Sequence, residues 1–253
     1  MTLAVIQARM TSTRLPGKVL MKVLDKSLLE WQIARLRMAR SISSIVIATT
    51  TNKTDDAIED ECRRLSVGCF RGDEHDVLSR FYETARREEV AELFRLTGDC
   101  PLVDPEIIDH VYRVFREGKY DYVNTGSTFS EGVDAEILGF EALQTAWSLA
   151  ETGAQREHVT LYINQNRHRF RCLTLENSVD DSAFRFTVDE PADFEVVKAI
   201  LEGIFPAKPD FRTNDVKAFL KNNPEVASRN VNIVRNEGLI KSLRDDGVEF
   251  TRG

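Results

Sequence analysis

The strongest constraint on the fold is a short apolar run near the N-terminus that ends abruptly in a polar, cationic stretch. Residues 3–8 are apolar apart from Gln7, and the polar residues 9–18 follow directly. An apolar run of this length bounded by a loop predicts a buried strand. Loops at the carboxyl ends of buried parallel strands often bind ligands. We therefore expect a functional site in residues 9–18.

The same pattern of strand, loop and helix recurs through the first half of the chain. Short apolar runs at residues 45–48, 67–70 and 93–96 predict further strands, and helical periodicity separates them. Polar residues that suit helix N-termini precede the predicted helices: Ser27, Thr54, Asp76 and Asp104. This alternation favours an α/β fold with a mostly parallel sheet covered on both faces.

Simple alternation stops near residue 120. We predict strands at residues 122–124, 136–138, 169–175 and 184–188, with helices at 140–151 and 191–204. Two prolines at 206 and 209 then interrupt the chain. We therefore predict a nucleotide-binding and catalytic domain over residues 1–205 and a packed, helical C-terminal appendage over residues 206–253.

Composition excludes several classes of protein. The net charge is −7, with 34 Lys plus Arg against 41 Asp plus Glu, which argues against nonspecific binding to nucleic acid. The four cysteines (62, 69, 100 and 172) lack the spacing of a metal knuckle or disulfide framework. No apolar stretch has the length of a signal peptide core or a membrane span. We expect a cytoplasmic protein with no membrane insertion and no nucleic acid partner.

Residues 9–18 carry three cations suited to a triphosphate. Arg9 and Arg14 can present planar donor forks to phosphate oxygens, and Lys18 can act as a mobile point charge. The hydroxyl of Ser12 and the backbone amides can supply further donors. The alternative interpretation is a solvated basic turn.

Two acidic residues follow predicted strands later in the chain. Asp99 lies in the segment TGDCP and Asp189 in the segment TVDEP. Asp99 can hold magnesium, while Gly98 lets a nucleotide approach the backbone. The alternatives are an Asp turn at Asp99 and a helix cap before Pro191 at Asp189.

The segment QARMTSTRLPGKVL resembles the signature loop of the CMP-sugar synthetases, which include the CMP-Kdo and CMP-sialic acid synthetases. The closer likeness is to their SpsF-type relatives, which act in spore coat polysaccharide biosynthesis. It extends over residues 3–204 through RGDEHDVLSRFY, LTGDCPLVDP, GVDAEILGFEAL, REHVTLYI and FTVDEPADFE, and RNEGLIKSL near the end is also similar. The resemblance implies a Rossmann-like, three-layer α/β/α nucleotidyltransferase fold, similar to the GT-A glycosyltransferases, with a mostly parallel mixed sheet.

The resemblance also implies roles for particular residues. It makes Asp99 and Asp189 the ligands of a Mg²⁺ cofactor, and with Arg9 and Lys18 they form the expected catalytic set. It implies homodimers. The residues expected to bind the nucleotide are Ala8, Arg9, Ser12, Arg14, Lys18, Thr49, Thr50, Arg71, Thr97 and Gly98.

An acceptor pocket is expected around four other residues. Asp134 and Glu136 lie on the same side of an extended segment and can bind sugar hydroxyls or an amino group. Arg156 and His158 can join that pocket or a subunit contact. Structural alternatives stay open: a cap at the acids, a structural histidine at His158, strand termination at Thr49 and Thr50, and a surface ion pair at Arg71. Asp76 and Arg80 fit an i,i+4 pair as well as a ligand contact.

The expected reaction is transfer of CMP from CTP to a small sugar, an acidic one by resemblance, with release of pyrophosphate toward Arg9, Arg14 and Lys18. One alternative is a metal-dependent GT-A-type glycosyltransferase that uses a nucleotide sugar. The cationic loop argues against it, because a glycosyltransferase has no pyrophosphate to bind. The other alternative is a nucleotide-binding protein without catalysis.

Overall fold

A seven-stranded mixed sheet lies at the centre of the molecule, in a computed structural model that describes residues 2–233, 235 and 237–247. Its strand order is β5-β4-β1-β6-β8-β7-β9, and β2 and β3 form a separate antiparallel pair. The strands are β1 (Thr2–Gln7), β2 (Lys22–Val23), β3 (Lys26–Ser27), β4 (Ile42–Thr50), β5 (Gly68–Gly72), β6 (Glu92–Thr97), β7 (Tyr122–Thr125), β8 (Glu136–Gly139) and β9 (Cys172–Leu175). Strand β8 runs antiparallel to both neighbours, and the other pairs of the sheet are parallel.

Helices cover both faces of this sheet. They are α1 (Leu28–Leu36), α2 (Asp56–Leu65), α3 (Val77–Arg87), α4 (Pro105–Gly118), α5 (Phe140–Leu149), α6 (Gly153–Glu157), α7 (Leu161–Gln165), α8 (Pro191–Ile204), α9 (Thr213–Asn222), α10 (Pro224–Ala227) and α11 (Glu237–Asp245). The alternation of β1 sets the two faces. Ala4 and Ile6 belong to the core formed with α1, α2 and α4, whereas Leu3 and Val5 belong to the core formed with α3, α5 and α7. The predicted three-layer fold is therefore confirmed.

A third apolar cluster joins the C-terminal helices to the body of the molecule. Trp31 of α1 packs in it with Phe186, with Val197 of α8 and with Leu220 of α9. Helices α9 and α10 are thus attached through buried apolar contacts. The predicted domain boundary at residue 205 stays a prediction.

Three of the four predicted helix caps are confirmed. The side chains of Ser27, Asp76 and Asp104 accept hydrogen bonds from backbone N–H groups in the first turns of α1, α3 and α4. The cap predicted at Thr54 is wrong, because a 3₁₀ turn over Lys53–Asp55 precedes α2 and Asp55 occupies the cap position.

The strand predicted at residues 184–188 is also wrong. Its backbone forms only an isolated bridge between Arg185 and Glu131. The N–H of Phe186 donates to the carbonyl of Glu131 at 2.7 Å, and the N–H of Val188 donates to the carbonyl of Asp99 at 2.8 Å. These bonds are made to loops beyond the sheet edge, so the segment places Asp189 beside the loop that carries Asp99.

Within the described part of the chain, the helices are all too short or too polar to cross a membrane.

Candidate active site

A cavity of about 790 Å³ opens at the carboxyl ends of β1 and β6. Gln7 and Thr97 are paired in the parallel register of these strands, so the loops that follow them emerge at the same edge of the sheet. The N–H of Gly98 donates to the carbonyl of Gln7 at 2.8 Å. A Cβ at Gly98 would lie 3.1 Å from Cβ of Ala8 and 3.0 Å from the Gln7 carbonyl oxygen. A side chain at position 98 would therefore crowd both neighbours, and glycine lets the two loops approach closely.

The loop after β1 is held by its own backbone and by one distant carboxylate. Gly17 has φ +71° and its N–H donates to the carbonyl of Met10 at 2.9 Å, which closes the loop on itself. The N–H of Met10 donates to Oδ1 of the fully buried Asp55 at 2.8 Å. The loop thus presents its side chains from a fixed backbone.

Lys18 brings the two predicted metal ligands together. Its Nζ lies 3.1 Å from Oδ2 of Asp99 and 2.9 Å from Oδ1 of Asp189. Burial would lower the pKa of Lys18, but the two carboxylates outweigh it and raise that pKa. Burial would likewise raise the pKa of Asp99, but the Lys18 ammonium dominates and lowers it to about 2. Lys18 and Asp99 are therefore both charged at neutral pH.

A buried arginine orients Asp189 from behind. Nη2 of Arg185 donates to Oδ2 of Asp189 at 2.8 Å, and its Nε donates to Oδ1 of Asp193 at 2.9 Å. Asp193 is fully buried and also accepts from Asn230 and from the N–H of Asp189. This network fixes Asp189 at the end of a segment that has no strand partner.

Asp99 and Asp189 can supply oxygen ligands to a magnesium ion, and the other ligands in its coordination shell would come from elsewhere. The position between Asp99 and Asp189 accepts positive charge, because the Lys18 ammonium lies there. Both groups offer oxygen donors, which Mg²⁺ prefers. Over the residues that the structure describes, no three His, Cys, Asp or Glu side chains group to hold a metal. A Mg²⁺ at this position would need phosphate oxygens or water as further ligands.

The remaining residues predicted from the first loop also lie in the cavity. Ala8, Arg9, Ser12, Arg14, Thr97 and Gly98 line it together with Lys18, Asp99 and Asp189. Nη2 of Arg14 lies 3.0 Å from Oδ1 of Asp189, and its Nη1 lies 2.7 Å from Oε2 of Glu237. Nη1 of Arg9 lies 3.7 Å from Oε1 of Glu74.

Three residues predicted to contact the base or ribose are engaged in contacts of another kind. Thr49 and Thr50 are fully buried, and their hydroxyls donate to Oδ2 of Asp55 at 3.0 and 2.5 Å. Arg71 forms ion pairs with Asp56 at 2.7 Å and with Glu59 at 2.8 Å. None of the three lines the described cavity. Their role at the nucleotide stays a prediction.

The two predicted acceptor acids face different partners. Oδ1 of Asp134 accepts from Nη2 of Arg235 at 2.7 Å. Glu136 accepts from the hydroxyl of Tyr122 at 2.6 Å and from that of Thr160 at 3.1 Å. Neither carboxylate lines the described cavity, and Asp134 attaches the C-terminal segment to the body of the molecule.

Arg156 and His158 lie next to α11. Nε2 of His158 is 3.0 Å from Oγ of Ser242, and that hydroxyl donates to Oε2 of Glu157 at 2.7 Å. Burial lowers the pKa of His158. Nη2 of Arg156 donates to the carbonyl of Ala150 at 2.8 Å, and its side chain lines a second cavity of about 600 Å³ that also includes Arg9. His158 therefore positions the C-terminal helix.

One feature of the cavity was missed from the sequence, and the sequence leaves Arg80 open between an i,i+4 pair and a ligand contact. Helix α11 forms one of its walls, with Glu237, Lys241 and Arg244 among the lining residues, and Arg80 of α3 also lines it. The signal for the wall was the RNEGLIKSL motif, which is similar to the SpsF-type proteins. The signal for Arg80 was its place in RGDEHDVLSRFY, but the i,i+4 spacing from Asp76 offered a structural explanation.

Comparison with known proteins identifies the family. A family model described as "Cytidylyltransferase" matches residues 3–237. The chain belongs to the cytidylyltransferase family. The predicted resemblance to cytidylyltransferases and to SpsF-type proteins is confirmed, and this cytidylyltransferase is accordingly a nucleotidyltransferase enzyme.

Individual relatives agree with this membership over nearly the whole chain. The spore coat polysaccharide biosynthesis protein SpsF of Bacillus subtilis is 33% identical over 240 residues, which cover 89% of this chain and 96% of SpsF. The uncharacterized protein MJ1063 of Methanocaldococcus jannaschii is 36% identical over 233 residues, 91% of this chain and 95% of that protein. A cytidylyltransferase structure from Leptospira borgpetersenii superposes with a TM-score of 0.85 at 30% identity, covering 92% and 98% of the two chains.

Proposed function

We propose that this cytidylyltransferase transfers CMP from CTP to an acidic sugar and releases pyrophosphate, in the biosynthesis of a surface polysaccharide or glycan. The observation that carries the proposal is the convergence of Asp99, Asp189 and three loop cations in one cavity. Similarity to SpsF and to 3-deoxy-manno-octulosonate cytidylyltransferases supports the polysaccharide setting and the acidic sugar.

In this proposal the loop cations bind the triphosphate. Arg9, Arg14 and Lys18 line the cavity from the fixed loop after β1. Their donors match phosphate oxygens, and they neutralise the charge that develops on the departing pyrophosphate. The acceptor oxygen attacks the α-phosphate in line, so no covalent enzyme intermediate is needed.

Asp99 and Asp189 would hold a Mg²⁺ cofactor. When bound, that ion would neutralise phosphate charge and thereby lower the cost of bringing an anionic acceptor close to the nucleotide. Arg185 and Asp193 keep Asp189 oriented for this role. The Lys18 ammonium lies where the ion would bind, so it must move from between the two carboxylates. The phosphates of CTP can then pair with it.

Binding and turnover distinguish this function from its alternatives. We expect CTP to raise the melting temperature more than UTP, ATP or GTP, and Mg²⁺ to increase that shift. Pyrophosphate release from CTP should then appear with one or more members of a panel of acidic sugars. Stabilisation by a finished nucleotide sugar alone would point to a glycosyltransferase, and CTP binding without turnover on any acceptor would point to a protein that only binds nucleotides.

The position of the acceptor pocket and the assembly of the enzyme are part of the same proposal. We propose that the acceptor pocket lies between the carboxylate pair and α11, and that the enzyme acts as a homodimer. Size-exclusion chromatography with light scattering tests the assembly, since a dimer has twice the 28.8 kDa of the chain.

A further inference from the structure

Arg80 is a buried cation whose charge is left without a carboxylate partner. Its side chain is 2% exposed, and its Nη1 donates to the backbone carbonyls of Asp73 and Glu74. Across residues 2–233, 235 and 237–247, no carboxylate oxygen lies within 4.0 Å of its guanidinium, and Nε has no hydrogen-bond partner. The Asp76 carboxylate, one turn away, binds the N–H and hydroxyl of Ser79 instead.

Burial of a charged guanidinium without a contacting carboxylate destabilises the folded protein unless a ligand supplies the missing partner. Burial of an arginine normally requires an ion pair or hydrogen bonds to all of its donors. Burial and the nearby charge of Arg9 lower the pKa of Arg80 to about 10, so it remains charged at neutral pH. Two guanidinium groups that repel each other thus border the same cavity.

The geometry holds Arg80 ready for a ligand. The Nη1 bonds fix the guanidinium, and the edge formed by Nε and Nη2 makes no hydrogen bond to a described residue. An edge of this kind can donate two parallel hydrogen bonds to phosphate oxygens. The stem is also confined, because a Cβ at Gly72 would lie 3.0 Å from Cγ of Arg80.

Another buried arginine shows how a purely structural guanidinium is satisfied in this molecule. Arg35 is 3% exposed; its Nε donates to the carbonyl of Val103 at 2.7 Å and its Nη2 to that of Phe211 at 3.0 Å. Its guanidinium carbon also lies 4.0 Å from the ring centre of Phe211. Arg35 does not line the cavity, whereas Arg80 does and lacks a partner for Nε.

We propose that Arg80, together with Arg9, forms a phosphate-binding subsite for the nucleotide on the α3 side of the cavity, apart from the Asp99, Asp189 and Lys18 group. This inference rests on the proposed use of a nucleoside triphosphate. It adds a cation from the RGDEHDVLSRFY segment to those of the first loop. Phosphate binding at this subsite gives the guanidinium a directly contacting anion, whereas the carboxylates of Asp55, Asp73 and Glu74 act on its charge from beyond contact distance.

The test measures binding, without turnover, by isothermal titration calorimetry on the full-length chain. The ligands are CTP, inorganic pyrophosphate and cytidine, and the variants are Arg80→Gln, Arg80→Lys and the matched buried control Arg35→Gln. We expect R80Q to weaken the binding of CTP and of pyrophosphate by about tenfold to a hundredfold and to leave the affinity for cytidine unchanged. R80K should recover part of the loss, because it keeps the charge and lacks the fork.

Folding is controlled separately. Circular dichroism of each variant at the titration temperature reports the folded fraction, and R35Q should lose melting temperature while it keeps the affinity for pyrophosphate. Unchanged CTP and pyrophosphate binding by folded R80Q would overturn the proposal, as would an equal loss for cytidine. Failure of the proposed function has a different signature, namely intact binding with no pyrophosphate release on any acceptor.

Discussion

The cavity has two walls that differ in how their side chains are held. The strand-edge wall consists of residues 7–18 and 97–99 with Asp189, and its Lys18 side chain is 9% exposed. The helix wall is α11, whose Glu237 side chain is 56% exposed although it pairs with Arg14. Backbone pairing between parallel strands fixes the first wall, whereas the part-buried hydrogen bonds of Ser242 and the buried side chain of Leu243 position the second.

This difference separates two tasks of a transferase. Charge stabilisation at a reacting phosphate depends on groups held in fixed positions, so it fits the strand-edge wall. A wall on the surface can vary in sequence without disturbing the core, so it fits the choice of acceptor. The following predictions test that division, beginning with the largest expected effect.

Asp99→Asn should reduce turnover by about 10²–10³-fold or more, because it removes one of two charges proposed to act at the reacting phosphate. The amide keeps the shape of the side chain but removes a charge that faces Lys18, so the melting temperature should also fall, whereas the folded protein should persist at the assay temperature. Pyrophosphate release measures turnover, and the Mg²⁺ dependence of the CTP-induced thermal shift provides a readout that needs no acceptor. Turnover equal to that of the wild type would remove Asp99 from the mechanism.

Lys18→Met should weaken CTP binding by about tenfold or more and change the acid dependence of stability. In the wild type the pKa of Asp99 is lowered from 3.8 to about 2, so its contribution to stability is complete above about pH 4 and is lost as the pH falls toward 2. Without Lys18, burial raises that pKa, and this loss below pH 4 should disappear. Urea midpoints at pH 5, 4, 3 and 2 measure the slope, and parallel curves for the two proteins would contradict the prediction.

Removal of the helix wall should affect the acceptor more than the nucleotide. A chain ending at Ile233 lacks α11, and we expect its KM for the acceptor to rise about tenfold, equivalent to about 1.4 kcal/mol. CTP should still stabilise it, because the strand-edge wall is intact. A chain ending at Gly247 retains α11 and serves as the control. Loss of CTP binding in the shorter chain alone would show that the two walls do not act separately.

The smallest effect is expected at the contact that positions α11. Burial lowers the pKa of His158, so the folded protein disfavours its protonation and stability is lost as the pH falls through 6.5 and below. His158→Gln removes this titration and can still hydrogen-bond Ser242. We expect a difference of about 1–2 °C in the Tm change between pH 7.5 and 5.5. An identical change in both proteins would exclude His158 as the titrating group.

Sequence reasoning reached the strand-edge wall because local patterns determine it. An apolar strand followed by a cationic loop located Arg9, Arg14 and Lys18, and the acid after β6 located Asp99. Asp189 lies in the site although the strand expected before it does not form. The parallel register of β1 and β6 then brings these loops together, as expected for this fold class.

The helix wall and the buried arginine could not be derived in the same way. The contact between Arg14 and Glu237 joins residues far apart in the chain, and no periodicity predicts it. The family resemblance implied a nucleotide contact at Thr49 and Thr50, and the unforeseen burial of Asp55 gives their hydroxyls a partner within the protein. Asp134 likewise was expected at an acceptor and instead binds Arg235.

The buried Asp55 has a consequence for the entropy of ligand binding. One carboxylate joins the end of β4, the start of α2 and the backbone of Met10, so the loop after β1 becomes ordered when the protein folds. A nucleotide that enters the cavity then meets backbone amides already in place, and little conformational freedom of the loop backbone is lost at that moment. The entropic cost of ordering the loop is met during folding, where the packing of the core offsets it. This cost therefore does not reduce the affinity for the nucleotide.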